Sequence, residues 1–169
     1  MISILVTGFN RPDSLDRCFR SILNQGLPCE IYVHLDGPRN SEESVLTQEC
    51  LELTSNLRHP NLHFLESEVH TENLGCKEAM WCALDWFFSH RTKGFIIEDD
   101  VIVLPGGLLA TSILLDRFEL DKSICQISLS NQISRVNRTD VSYSLSNYPF
   151  IWGWATWRDR WESNIKDIS

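Results

Sequence analysis

The order of elements along this chain predicts an α/β fold of three layers, αβα, with helices covering both faces of a mostly parallel sheet. Three observations carry that expectation. Short β-branched runs alternate with stretches of helical period over residues 2–130, and such alternation implies right-handed βαβ crossovers. The first of these runs, "ISILV", is apolar throughout, as a strand covered on both faces is. With 169 residues, 43% of them hydrophobic and 22% charged, the chain has the makings of a single domain, 1–169, around one core.

The elements follow in order. "ISILV" (2–6) is a strand, and Pro12 suits the first turn of the helix after it. Leu15, Cys18, Phe19, Ile22 and Leu23 give that helix its apolar face, and Gly26 closes it. "CEIYVHL" (29–35) is the second strand and ends at the turn Asp36-Gly37-Pro38. Asn40, with Glu43 three residues on, resembles a capping box and opens a helix to about Leu57. "LHFLES" (62–67) is a third strand. A helix over 73–90 follows, with Cys76, Met80, Ala83, Leu84 and Phe87 on its buried face. "GFII" (94–97) is the fourth strand, 107–118 a helix and 124–130 another strand. Residues 131–150 read as a long polar loop with an edge strand, and "ATWRDRWES" (155–163) as a last helix.

Charge and composition narrow the function. A net charge of -8 and a pI near 5.0 leave no basic face for nucleic acid. The six cysteines, Cys18, Cys29, Cys50, Cys76, Cys82 and Cys125, show neither a CxxC pair nor zinc-finger spacing, which points to reduced, structural thiols and a cytoplasmic protein. No basic start or cleavage site precedes the first strand, so a signal peptide is not expected. No apolar run reaches the ~20 residues of a membrane span. The sequon Asn137-Arg138-Thr139 reads as chance in a chain with no export signal.

In parallel sheets ligands bind beyond the carboxyl ends of the strands. The first strand delivers Thr7-Gly8-Phe9-Asn10-Arg11 to that rim, the second Asp36, and the fourth Glu98-Asp99-Asp100. Three adjacent carboxylates repel one another and raise one another's pKa, so a positive partner is expected. A carboxylate cluster without a histidine or cysteine beside it in the sequence suits a hard cation, Mg²⁺ or Mn²⁺, that shares its remaining positions with phosphate oxygens. Asp100, with Glu98 or Asp99, is enough to hold one. The bland alternative is a solvated strand end.

"VTGFNRPDSLDRCFRSI" resembles the opening of a GT-A nucleotide-sugar glycosyltransferase, where an apolar strand runs into a T-x-x-N-R-P turn and a helix. "GFIIEDDVIVLPGGLLATSILL" is similar to the DxD-type metal motif of that Rossmann-like fold, in the E-D-D form of inverting N-acetylglucosaminyltransferases. "ICQISLSNQ" resembles the strand after it, and "YPFIWGWATWRDRW" the W-G-W-A-T-W segment of bacterial glycosyltransferase-like sequences. The resemblance implies a metal-dependent, inverting transfer of a sugar from a nucleotide diphosphate, a UDP-sugar first of all, to a hydroxyl on a glycan, lipid-linked or protein acceptor. The Thr7–Arg11 turn, Phe9 and Asn10 included, would cradle base and ribose, with Arg11 near the diphosphate. Asp36 would bond the base, Glu98 and Asp99 would touch ribose and sugar, and Asp100 would bind the metal. Lys77, at the helix start in "NLGCKEA", would favour the diphosphate; an ordinary solvated lysine is the competing reading, as a turn-forming aspartate is for Asp36. Trp152 and Trp154 flank Gly153 and suit a platform for sugar or acceptor, whereas Trp157 and Trp161 read as packing across one helix.

The chain departs from the family at its end. An inverting transferase needs a carboxylate base, which in the resembling enzymes follows the tryptophan segment. Here only Asp159, Glu162 and Asp167 follow, and none matches a base motif, so a domain shortened in its acceptor part is expected. Two other readings stay open. One is a nucleotide-sugar-binding module without turnover. The other is a sugar nucleotidyltransferase, although "TGFNRPDS" lacks the glycine-rich loop that would hold a triphosphate. A peripheral contact with a membrane, through a lipid-linked acceptor, also remains open.

Overall fold

The computed structural model describes residues 1–130 and 142–165. Its elements are β1 (Ile2–Gly8), α1 (Pro12–Leu23), β2 (Cys29–Leu35), α2 (Ser41–Ser55), β3 (Leu62–Val69), α3 (Cys76–His90), β4 (Lys93–Glu98), α4 (Gly107–Phe118), β5 (Ile127–Ser128), β6 (Trp154–Trp157) and α5 (Arg158–Arg160), with a π-helical turn over Trp161–Ile165. The six strands form one sheet in the order β3-β2-β1-β4-β6-β5. β1 pairs in parallel with β2 and β4, and β2 with β3. β6 runs antiparallel to both β4 and β5. The architecture is therefore α/β, a mostly parallel mixed sheet flanked by helices. The winding goes outward from β1 to β3, then resumes on the other side of β1 with β4. Open α/β sheets bind their ligands at such a reversal, which here falls at the carboxyl ends of β1 and β4.

Alternation along the strands explains the two cores. Ile4 and Val6 of β1, Ile31 and Val33 of β2, and Phe95 and Ile97 of β4 face one side, against Leu15, Phe19 and Ile22 of α1 and Leu108 and Leu115 of α4. Leu5, Tyr32, Ile96 and Trp154 face the other, against Ala83, Leu84, Phe87 and Phe88 of α3. Gly94 allows α3 to sit this close: a Cβ there would lie 2.4 Å from the Phe87 ring.

Four expectations change. α3 begins at Cys76 rather than 73, and its buried face is Ala79, Ala83, Leu84, Phe87 and Phe88, with Cys76 exposed. Residues 73–75 are held by Asp36, and Gly75 at φ 81° turns the chain into the helix. The expected strand over 124–130 shortens to Ile127–Ser128. Residues 154–157, placed mostly in a helix by the i, i+4 spacing of Trp157 and Trp161, are the buried strand β6. Tertiary pairing with β4, together with the strand preference of Trp and Thr, overrides that spacing. In the capping box, Asn40 accepts from the Glu43 N–H at 2.9 Å as expected, but the Glu43 carboxylate accepts from the Arg39 N–H, not that of Asn40.

The sequon and residues 131–141 of the expected loop lie outside the described residues, and 142–150 hold no strand. Among the described residues no helix is long and apolar enough to cross a membrane.

Candidate functional site

The β1–β4 ladder continues one step beyond the strands, where the Asp99 N–H donates to the Thr7 carbonyl at 2.9 Å. This draws the three acids against the turn leaving β1. Asp99 is 2% exposed. One of its oxygens accepts from the Phe9 N–H at 3.4 Å and the other pairs with Arg11 Nη2 at 2.9 Å. The other terminal nitrogen of Arg11, Nη1, lies 3.0 Å from Asp100 Oδ2. The guanidinium thus forks across two of the three acids and supplies the positive partner that their adjacency demands. Arg11 was expected at a diphosphate; here it holds the acids, half-exposed at the rim.

The three acids are not equivalent. Burial pushes the Asp99 carboxyl up, against the pull of Arg11 and the Phe9 N–H. Burial also raises Glu98, with Asp100 and Asp99 adding to it and Arg11 opposing. The Glu98 carboxylate makes no hydrogen bond among the described residues. Asp100 is half-exposed and shares one oxygen with Arg11, so it keeps lone pairs open toward solvent. Carboxylate oxygens on an open rim are the donor set a hard divalent ion takes, and the residues present fit one. Beneath them the buried Cys18 thiol donates to the Glu98 carbonyl at 3.6 Å and is pushed up to about 12 by burial and the nearby acids, which keeps it protonated and inert.

Asp36 reaches the same rim but is committed. It is 6% exposed. One carboxylate oxygen accepts from the N–H groups of Gly37 (2.9 Å) and Leu74 (2.8 Å), the other from Gly75 N–H (3.1 Å) and the Asn73 amide (2.9 Å). A carboxylate offers about four lone-pair positions, and four protein donors fill them. Asp36 anchors the segment leading into α3, and these four donors already occupy the carboxylate that was expected to bond a base. Gly37 is part of the same junction: a Cβ on it would meet the Glu72 backbone at 2.4 Å.

Thr7 sits in register between His34 and Glu98, with Phe9 and Asn10 half-buried on the turn beyond it. The Arg39 guanidinium lies 5.4 Å from the Phe9 ring centre and adds a second cation near the rim. Lys77 is exposed on the first turn of α3. Trp152 is 56% exposed, while Gly153, at φ 73°, comes so close to Val101 that a Cβ would lie 3.4 Å from its methyl group. Trp152 therefore stands beside the segment that follows Asp100. Trp154 is 6% exposed and packs in the α3-side core, which leaves Trp152 as the only exposed ring of the expected pair.

The late carboxylates lie at the wrong end. β6 is antiparallel to β4, with Trp157 opposite Lys93, and the Arg158 N–H donates to the Thr92 carbonyl at 2.8 Å. Asp159 is thus carried to the edge opposite the acids, where it pairs with Lys122 and Arg160, and Glu162 follows it on the next turn. Asp167 lies outside the described residues.

Sequence reasoning also missed a cluster: His34 on β2, Glu68 on β3 and His70 just past β3. Their ligand atoms all lie within 4.8 Å of one another. Burial and His70 push the His34 imidazole down to about 4, with Asp36 opposing. The available signal was a histidine in the buried second strand, CEIYVHL.

No protein-family model matches the chain, and no curated protein matches it.

Proposed function

We propose that this chain is a GT-A-type domain that binds a nucleotide-diphosphate sugar, a UDP-sugar first, and transfers the sugar to an acceptor hydroxyl with Mn²⁺ or Mg²⁺ at Asp100. The single observation that carries the reading is the meeting of the β1 and β4 carboxyl ends, where Asp99 and Asp100 pair with Arg11 at 2.9 and 3.0 Å. Ligand sites of open α/β sheets lie at such reversals of strand order, and the Thr7–Arg11 turn and Glu98–Asp100 meet at this one. A divalent ion bound there would neutralise charge developing on the departing diphosphate.

The chain's own residues do the rest. The Arg11–Asp100 pair is exposed, and such pairs are worth ~0–1 kcal/mol; the guanidinium therefore exchanges its carboxylate partner for a phosphate oxygen at small cost. Lys77, on the first turn of α3, would add positive charge toward the diphosphate, while the Arg39 guanidinium is engaged by Glu43. Thr7 and Asn10 present polar groups to ribose and base, and Phe9 offers a ring face. Trp152 offers an exposed indole to the sugar or acceptor. The six free cysteines agree with transfer in the reducing cytoplasm, to a free or membrane-borne acceptor.

One observation favours a second reading, a donor-binding module without turnover. Asp159 is held in ion pairs at the far edge of the sheet, so neither it nor Glu162 serves as the base. Calorimetric titration of UDP with Mn²⁺, without it, and in Asp100→Ala tests the common ground. Binding that needs both the ion and Asp100 is the expected result. Silence from UDP, GDP and CDP alike overturns both readings, and binding without turnover of any UDP-sugar selects the second.

A further inference from the structure

The carboxyl ends of β2 and β3 bring together two imidazoles and a carboxylate that the site at the ends of β1 and β4 does not use. His34 stands on the α3-facing side of β2, in register with Glu68 on β3. His70 follows two residues later, fixed by its N–H donating to the Leu35 carbonyl at 3.0 Å. The two Nε2 atoms lie 2.9 Å apart, and Glu68 Oε2 is 3.6 Å from His34 Nε2.

We propose that His34, Glu68 and His70 bind a divalent transition-metal ion of the Zn²⁺ class. Imidazole nitrogens suit Zn²⁺, Cu²⁺ or Ni²⁺, in contrast to the oxygen-seeking Mg²⁺ and Mn²⁺. Around a tetrahedral zinc with bonds of ~2.0–2.1 Å, neighbouring ligand atoms stand ~3.3 Å apart. The observed 2.9 and 3.6 Å bracket that spacing, and the third pair, His70 with Glu68, lies within 4.8 Å, so a rotation of the half-exposed Glu68 side chain toward His70 seats the ion. A hydrogen bond between the rings alone accounts for two of the three groups. The β2–β3 register brings the Glu68 carboxylate to His34 as the third group.

Access and function follow from position. His34 is buried, but Glu68 and His70 are half-exposed on the sheet's outermost strand, so the ion enters from that side. Two histidines and a glutamate leave a fourth position for water or a ligand group. Once bound, the ion ties β3 to β2 and fixes the start of the segment that Asp36 anchors. The site differs from Asp100 in place and in ligand chemistry, and it stands whether or not the chain binds a nucleotide sugar.

The test is titration of the chelator-stripped full chain with Co²⁺, read by visible absorption, then displacement by Zn²⁺. One equivalent of Co²⁺ with the absorption of a low-coordinate site is expected. His70→Gln weakens it by more than ~100-fold, since even outer partners of a ligand are worth 10–100-fold. Glu68→Gln, half-exposed and so tolerant of substitution, weakens it too, and Asp100→Asn leaves it unchanged. Zn²⁺ at ~100 times its dissociation constant raises Tm by roughly 5–10 °C. The proposal is overturned if no such absorption develops, if neither His70→Gln nor Glu68→Gln weakens it, or if Asp100→Asn alone abolishes it.

Discussion

Replacing Asp36 separates a loop anchor from a ligand contact. Its carboxylate accepts four hydrogen bonds, from Gly37, Leu74, Gly75 and Asn73. At the lower figure for a charged acceptor, ~1.5 kcal/mol each, they sum to ~6 kcal/mol. Water can reach a rim position and replace about half of this, so Asp36→Ala is expected to cost ~3 kcal/mol. Asp36→Asn keeps one oxygen for two donors and sets an amide against the other two, for a loss of ~2 kcal/mol. Urea unfolding at constant m reads both values, and UDP titration of the folded variants reads any ligand role. If Asp36→Ala lowers stability by under ~1 kcal/mol while UDP affinity collapses, the anchor account is refuted and Asp36 is a ligand contact after all.

Other perturbations read neighbouring parts of the fold. Gly37→Ala drives a methyl into the Glu72 backbone at 2.4 Å, and urea unfolding should show a loss of ~2–3 kcal/mol. Glu30 is held below its usual range by Arg91, with help from Ser3, while burial opposes. Its contribution is therefore full above about pH 4.5 and is lost as pH falls through the lowered folded value; Glu30→Gln should flatten this acid limb of the stability curve. Arg160 donates from one nitrogen to the carbonyls of Phe118, Glu119 and Asp121 at the end of α4. Arg160→Met should cost ~3 kcal/mol by leaving those carbonyls without their donor and Asp159 with Lys122 alone. Arg11→Gln should tighten Mn²⁺ alone by a few-fold, since ~1 kcal/mol of competition is removed, yet weaken UDP at saturating Mn²⁺; calorimetry that shows both falling, or neither changing, contradicts the partner exchange assigned to Arg11.

The strands and helices that pack on their own periodicity were legible in advance. α1 buries Leu15, Cys18, Phe19, Ile22 and Leu23, the spacing its sequence displays, and β2 is buried along its whole length. What escaped were elements decided by distant partners. Trp154–Trp157 becomes a strand because the exposed edge of β4 is there to pair with it, and nothing local announces that edge. Asn73 and Leu74 look like the first turn of a helix, yet Asp36, 37 residues away from Asn73, captures them. The candidate site divides in the same way. The acids at the end of β4 were visible as a run, whereas His34, Glu68 and His70 meet only through the β2–β3 register.

That register of strands also alters the meaning of the three acids. Adjacency in the sequence suggests three charges pressed together, but a strand end sends neighbouring side chains to opposite faces. Glu98 shares the α3 side with Ile96, Asp99 turns toward α1 and Cys18, and Asp100 projects to solvent. One carboxylate is buried and ion-paired, one is half-buried with its ionised form disfavoured, and one is open. Only the last has room for the proposed cation, and the group that an incoming cation would displace is Arg11. Displacement from Asp100 opens one side of the guanidinium, still held by Asp99 on the other, to an incoming anion. A cation and a phosphate-bearing ligand binding here would then each tighten the other by the same factor, as linkage requires. Acids that merely faced water at a strand end would carry no such coupling.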